Sequence, residues 1–209
     1  VIAKITNYVA YANPNSAAAY TIRASYHLRK GDQARALADL EEAGKQDLSD
    51  IMVRMHLAEV FIDANDPSAA QTHLQAVRAA DPGNQTLWQI WSRLALKTKD
   101  TAMMKMVALE GLEALAVQPW DFMPIAAELY LRSGETEQAE KYIDQLRQKE
   151  IAPATTEFLE GIAADIKGQH YEGVKHLYQA IQLGNNSAAV RMELANMLSL
   201  MGDKQSAIQ

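Results

Sequence analysis

Apolar and small positions along this chain recur with two periods, one nested inside the other. The short one is helical. Ala36, Leu40 and Ala43 follow one another at spacings of four and three, which puts them on one face of a helix. On the outward positions of the same helix stand Arg35, Asp39, Glu41, Glu42 and Lys45, which read as its solvated face. Just before it stands Lys30-Gly31-Asp32. Gly31 can end the preceding helix in the left-handed conformation, and Asp32 can cap the next one. The long period is the recurrence of this turn. Its equivalents are Gly31, Asn65, Lys99, Gly134, Gly168 and Gly202, at steps of 34, 34, 35, 34 and 34 residues. A fixed period of this length predicts stacked pairs of antiparallel helices.

Two further positions hold the same register. Seven residues before each turn stand Ala24, Ala58, Ser92, Ala127, Gly161 and Ala195, all small. Five residues after it stand Ala36, Ala70, Met104, Ala139, Gly173 and Ala207, small except for Met104. Small residues at two fixed places let the two helices of a pair approach closely, and large apolar residues between them fill the groove to the next pair. The pattern resembles the tetratricopeptide repeat, a helix–turn–helix family of the same period. Tyr20 and Trp88 match its frequent aromatic near the start of the first helix. Leu57, Trp91 and Leu194 match its large seventh position, Phe61 and Tyr130 its eleventh, and Pro14 and Pro82 its proline near the end. The resemblance covers the whole chain and implies an all-α fold, a right-handed α-solenoid. Departures are local. Lys99 and Met104 replace the usual glycine and alanine, one extra residue precedes Trp120, and Arg23 and Glu160 occupy the seventh position.

Counted from Ala17, full repeats are expected at 17–50, 51–84, 85–119, 120–153 and 154–187, as one solenoid. A partial repeat at 1–16 and a truncated one at 188–209 would flank them. Val1–Ala12 reads as a second helix without its first, and the last repeat stops seven residues past Gly202. This is the pattern of a piece of a longer repeat protein. Its truncated ends offer a route to a homo-oligomer.

Composition and charge narrow the function. A net charge of −6 argues against nucleic acid, whose phosphates call for a basic surface. The chain has no cysteine, hence no thiolate metal site and no thiol nucleophile, and this leaves the redox compartment open. No apolar run approaches the ~20 residues of a membrane span. Bacterial cytoplasm and periplasm are both compatible.

Catalytic chemistry finds no foothold. His27, His56, His73, His170 and His176 include no pair spaced four apart on one helix face, the usual helical arrangement for a metal. Glu110/Glu113 and Glu157/Glu160 share helix faces but read as solvated pairs. Arg93, Lys97, Lys99 and Lys105 form a basic cluster that reads as a solvated turn. Trp88, Trp91 and Met104 read as core rather than as a cofactor cage. No cofactor is implied, and the chain is expected not to be an enzyme.

The resemblance implies a binding groove lined by the first helices of successive repeats. One subset of the family grips a C-terminal carboxylate with a fixed set of lysines, asparagines and an arginine. No window of this sequence supplies that set. What remains is an apolar stripe, including Ile22, with polar neighbours. The candidate peptide-binding residues are Met55, Ile90, Arg93, Ile125, Glu128, Phe158, Leu159 and Ile162. Arg93, Glu128 and Asp165 would set polarity and orientation. The expected function is a protein-interaction scaffold that receives an apolar or amphipathic segment of a protein or peptide. The alternatives are the targeting or substrate-recruiting arm of a larger enzyme, and a bacterial envelope export or assembly factor.

Overall fold

The computed structural model describes residues 16–202. The helix expected over Val1–Ala12 and the small residue Ala207 lie outside them. The described part is all-α, and the chain divides after Thr98 into two compact units. Each is taken by itself.

In the first unit, α1 (Ala17–Arg29) and α2 (Gln33–Asp47) form one antiparallel pair, α3 (Ile51–Asp63) and α4 (Pro67–Ala80) a second, and α5 (Gln85–Thr98) follows. Side-chain caps start the helices. Ser16, Asp32, Asp50 and Asp66 accept from the backbone N–H of Ala19, Arg35, Met52 and Ala69. Such a cap contributes ~1 kcal/mol by satisfying a donor that the helix cannot. Gly31 and Asn65 end the first helix of each pair at φ of 74° and 62°. The core follows the small positions: Ala24, Ala36, Leu40, Ala43, Val53, Leu57 and Val60 pack as one cluster. Burying each large aliphatic side chain contributes about 1.5–3 kcal/mol. Trp88 and Trp91 are core, stacked with ring centroids 5.8 Å apart, and Trp88 donates its indole N–H to the Pro82 carbonyl at 2.8 Å.

The second unit holds α6 (Thr101–Ala114), α7 (Met123–Arg132), α8 (Thr136–Gln148), α9 (Pro153–Ile166), α10 (His170–Gln182) and α11 (Ala188–Leu200). A 3-10 turn, Pro119–Asp121, lies where the repeat gains its extra residue. Lys99 takes the turn conformation at φ 54° despite its side chain, at a cost of roughly 1–2 kcal/mol. Contact between α9 and α10 depends on two glycines. A Cβ on Gly161 would lie 2.8 Å from Leu177, and one on Gly173 would lie 3.1 Å from the Gly161 carbonyl. Met104 is buried, as its place in the register requires.

Two expectations are corrected. Asp39 is not on a solvated face; it is 6% exposed and takes a two-pronged bond from Arg23, with Nε donating at 2.7 Å. Glu160 is likewise not a solvated partner of Glu157. Its side chain is 10% exposed and is held by Arg147 and His176. Both corrections have one cause. Arg23 and Glu160 stand where the family places a large apolar side chain, and a charge there must be paired by the neighbouring second helix. The basic cluster also dissolves into separate partners: Arg93 faces Glu59 and Asp63, Lys97 donates to the Ile62 carbonyl, and Lys105 pairs with Glu135.

Candidate functional site

Within each unit the first helices of successive pairs pack side by side: α1, α3 and α5 in the first unit, α7, α9 and α11 in the second. The second helices cover one side of such a row. The other side presents side chains that none of the described second helices covers.

In the first unit this side holds a pocket of about 430 Å³. It is lined by Ser25, Leu28 and Arg29 of α1, His56, Glu59 and Asp63 of α3, and Arg93 of α5. Ser25 links two of these helices. Its hydroxyl donates to the Thr21 carbonyl at 2.9 Å, so its oxygen accepts the N–H of His56 Nε2 at 3.2 Å. Burial lowers the His56 pKa, against the pull of Glu59 and Asp50, so the ring is neutral near pH 7. Arg93 sits half exposed, 3.7 Å from Glu59 and 3.9 Å from Asp63. Contacts this long leave its guanidinium able to take another acceptor. Ile22 and Met52, one helical turn before Ser25 and His56, are 51% and 49% exposed.

The second unit is arranged differently. Arg132 of α7 donates to Glu193 of α11 at 2.6 Å and lies 3.5 Å from Glu128 on its own helix. The helix α9 stands between α7 and α11 and is covered from behind by α8 and α10. The Arg132–Glu193 bond therefore passes over the open side of α9. Burial raises the Glu128 pKa, Arg132 opposes this, and Glu193 adds to it.

The eight candidate groove residues divide by burial. Met55, Ile90, Phe158, Leu159 and Ile162 are between 0% and 6% exposed. Ile125 and Glu128 are half-buried and Arg93 is exposed. Met55, Ile90 and Arg93 belong to the first unit, and the other five to the second. Asp165 bonds to His170 Nδ1 at 2.8 Å. The candidate set drawn from the sequence did not include Ser25, Arg29, His56, Arg132 and Glu193, although Ser25, His56 and Glu193 were counted at groove-facing positions. Their signal was present, since all five stand at first-helix positions that line the groove in the resembled family.

A different group gathers between α8, α9 and α10. Glu157, Glu160 and His176 bring one ligating atom each within 4.8 Å of one another. Such a set could hold a cation. Here Arg147 already compensates Glu160, and His176 Nδ1 lies 2.8 Å from Glu157 and 3.1 Å from Glu160. Among the described residues no helix is long and apolar enough to cross a membrane.

Residues 27–97 match the family model described as tetratricopeptide repeat. No curated protein sequence matches the chain significantly. Among solved structures, PilF of Pseudomonas aeruginosa is similar with a TM-score of 0.67 at 17% identity, over 92% of this chain and 87% of that one. PilW, a widely conserved type IV pilus biogenesis factor, gives 0.71 at 15% identity, over 92% and 89%. YrrB, a protein of the same repeat type with an unusual peptide-binding site, gives 0.63 at 14% identity, over 89% and 95%. At these identities the likeness shows the fold.

Proposed function

We propose, from the premise that this chain is built of tetratricopeptide repeats, that it is a non-catalytic scaffold whose rows of first helices receive a segment of a protein partner. The family match and the solenoid fold of the similar structures are those of protein-binding scaffolds. The observation that carries the finer reading is the pocket on α1, α3 and α5, which side chains from three successive first helices line together. Exposed Ile22 and Met52 beside it offer an apolar seat, and Ser25, Arg29, His56 and Arg93 offer polar contacts. That combination suits an amphipathic segment. In the second unit Ile125 and Glu128 keep exposed surface for such a segment. The buried candidates Met55, Ile90, Phe158, Leu159 and Ile162 serve as the floor beneath, not as direct contacts.

A displayed library of random peptides, selected on the immobilised chain, tests this. Enriched peptides should bind the parent and lose at least about tenfold in affinity to Ile22→Glu or Met52→Glu. Both variants should keep the parent's melting temperature, since each side chain is already half exposed. Glu137→Lys, on the exposed side of α8, should bind normally. If the library yields no enriched peptide, or the enriched ones bind both variants at parental strength, the scaffold face has been misplaced.

A further inference from the structure

The second unit carries a charge imbalance where its row of first helices is open. Glu128 and Glu193 share one guanidinium, that of Arg132. The side chains are 25%, 15% and 32% exposed, so water screens the trio only in part. The sharing is unequal, with Glu193 at 2.6 Å and Glu128 at 3.5 Å from the same nitrogen. One negative charge is left over, and it belongs mainly to Glu128. Two further acids stand at groove-facing positions of the row: Asp165, already engaged by His170, and the exposed Asp121.

We infer that the second unit selects a partner segment bearing a lysine or arginine, which completes the Glu128–Arg132–Glu193 trio as a second cation. The inference rests on the scaffold reading above and adds the sign of the partner's charge. The asymmetry between the two signs is what decides it. An incoming ammonium or guanidinium pairs with Glu128 and breaks nothing. An incoming carboxylate must take Arg132 away, which leaves two half-buried carboxylates facing each other. Because the Arg132–Glu193 bond spans α7 to α11 over the open side of α9, a segment lying on that row meets the trio on its way. The contact acts as a filter for charge, with bulk affinity coming from apolar neighbours.

The same peptide selection tests it, with three targets in parallel: the parent, Glu128→Gln/Glu193→Gln, and Glu137→Gln/Glu150→Gln. The third removes the same net charge from exposed positions of the same unit. Peptides enriched on the parent should carry an excess of lysine and arginine over the input library. That excess should vanish on Glu128→Gln/Glu193→Gln and persist on the charge-matched control. Individual basic peptides should lose about tenfold in affinity to the first variant and less than about twofold to the control. Should the double variant fold poorly by circular dichroism, Glu193→Gln alone is expected to show the same loss of enrichment in weaker form. Peptides enriched without a basic excess would leave the scaffold intact and overturn this inference. An excess lost equally on the control reflects bulk charge and overturns it too. Failure to enrich any peptide overturns the scaffold reading itself.

Discussion

The two units build the same row of first helices and leave opposite surfaces on it. In the first, the open side is a pocket whose ion pairs are loose: Arg93 stays 3.7 Å or more from both acids, and a neutral histidine tethered to Ser25 forms part of the wall. In the second, a short bond from Arg132 to Glu193 ties the first and third helices of the row together. Backbone architecture is not what distinguishes them. The difference comes from the reach of one arginine. Arg93 meets acids on the adjacent helix only, whereas Arg132 finds its closest acid two helices away. A repeat fold can thus keep its packing constant and vary the surface of its row of first helices by moving a single charge.

The comparison can be broken most severely through packing. Gly161→Leu forces atoms into the space that Leu177 already fills. It should destabilise the second unit by about 1–3 kcal/mol or more. Amide hydrogen exchange should show protection lost in α9 and α10 and retained in α1 and α3. Equal loss in both sets would mean that the units unfold as one. The next effect is electrostatic. Arg132→Ala leaves Glu128 and Glu193 without their cation, a loss of about 1–2 kcal/mol after allowance for partial exposure. Arg93→Ala, which removes two long surface contacts, should cost only about 0–0.5 kcal/mol in the same denaturation assay. If the two costs match, the distinction between strapped and open rows has no energetic content.

The smallest effect sharpens the comparison through pH. His56 and His73 of the first unit have pKa values lowered chiefly by burial. The unfolded chain then binds more protons than the folded one between the lowered values and the ordinary ~6.5. Their contribution is fully present above that value and is lost as the pH falls through the folded values. Glu128 of the second unit is shifted up, again chiefly by burial. Its sign is reversed: the folded state holds the proton longer, so stability is greatest below the ordinary carboxylate range and declines as the pH rises through the folded value. Exchange protection in α3 should therefore rise as the pH rises toward the ordinary histidine value, and that in α7 should fall as the pH rises above the ordinary carboxylate range. Glu128→Gln should flatten the second slope and leave the first.

The repeat was legible in the sequence because its signals are local. Gly31, Asn65, Lys99, Gly134, Gly168 and Gly202 all adopt the left-handed turn, since one residue per turn must reverse the chain there. Small residues such as Ala58, Ala127 and Ala139 are fully buried for an equally local reason, the close approach of two helices. Charge placement was not legible. Asp39 reads as polar surface by helical spacing, and only the arrival of Arg23 from the paired helix makes its burial tolerable. The open side of the row of first helices falls between these cases. Its positions could be counted from the repeat, but Met55, Ile90, Phe158, Leu159 and Ile162 turned inward while Ile22, Ser25, His56, Arg132 and Glu193 took the open side. That choice depends on the rotation of each helix against its neighbours, which a period of small residues does not specify.

The tryptophans of the two units differ in surroundings, and this makes the molecule its own optical probe. Trp88 and Trp91 lie stacked in the interior of the first unit, each 1% exposed. Trp120 belongs to the second unit and is half-buried, with the ammonium of Lys149 lying 5.1 Å from its ring centre. Emission from the stacked pair should be blue-shifted and resistant to a soluble quencher, and emission from Trp120 red-shifted and readily quenched. Replacing Trp120 with phenylalanine isolates the first unit's signal, so one cuvette experiment can follow each half of the chain as it melts or takes up a peptide.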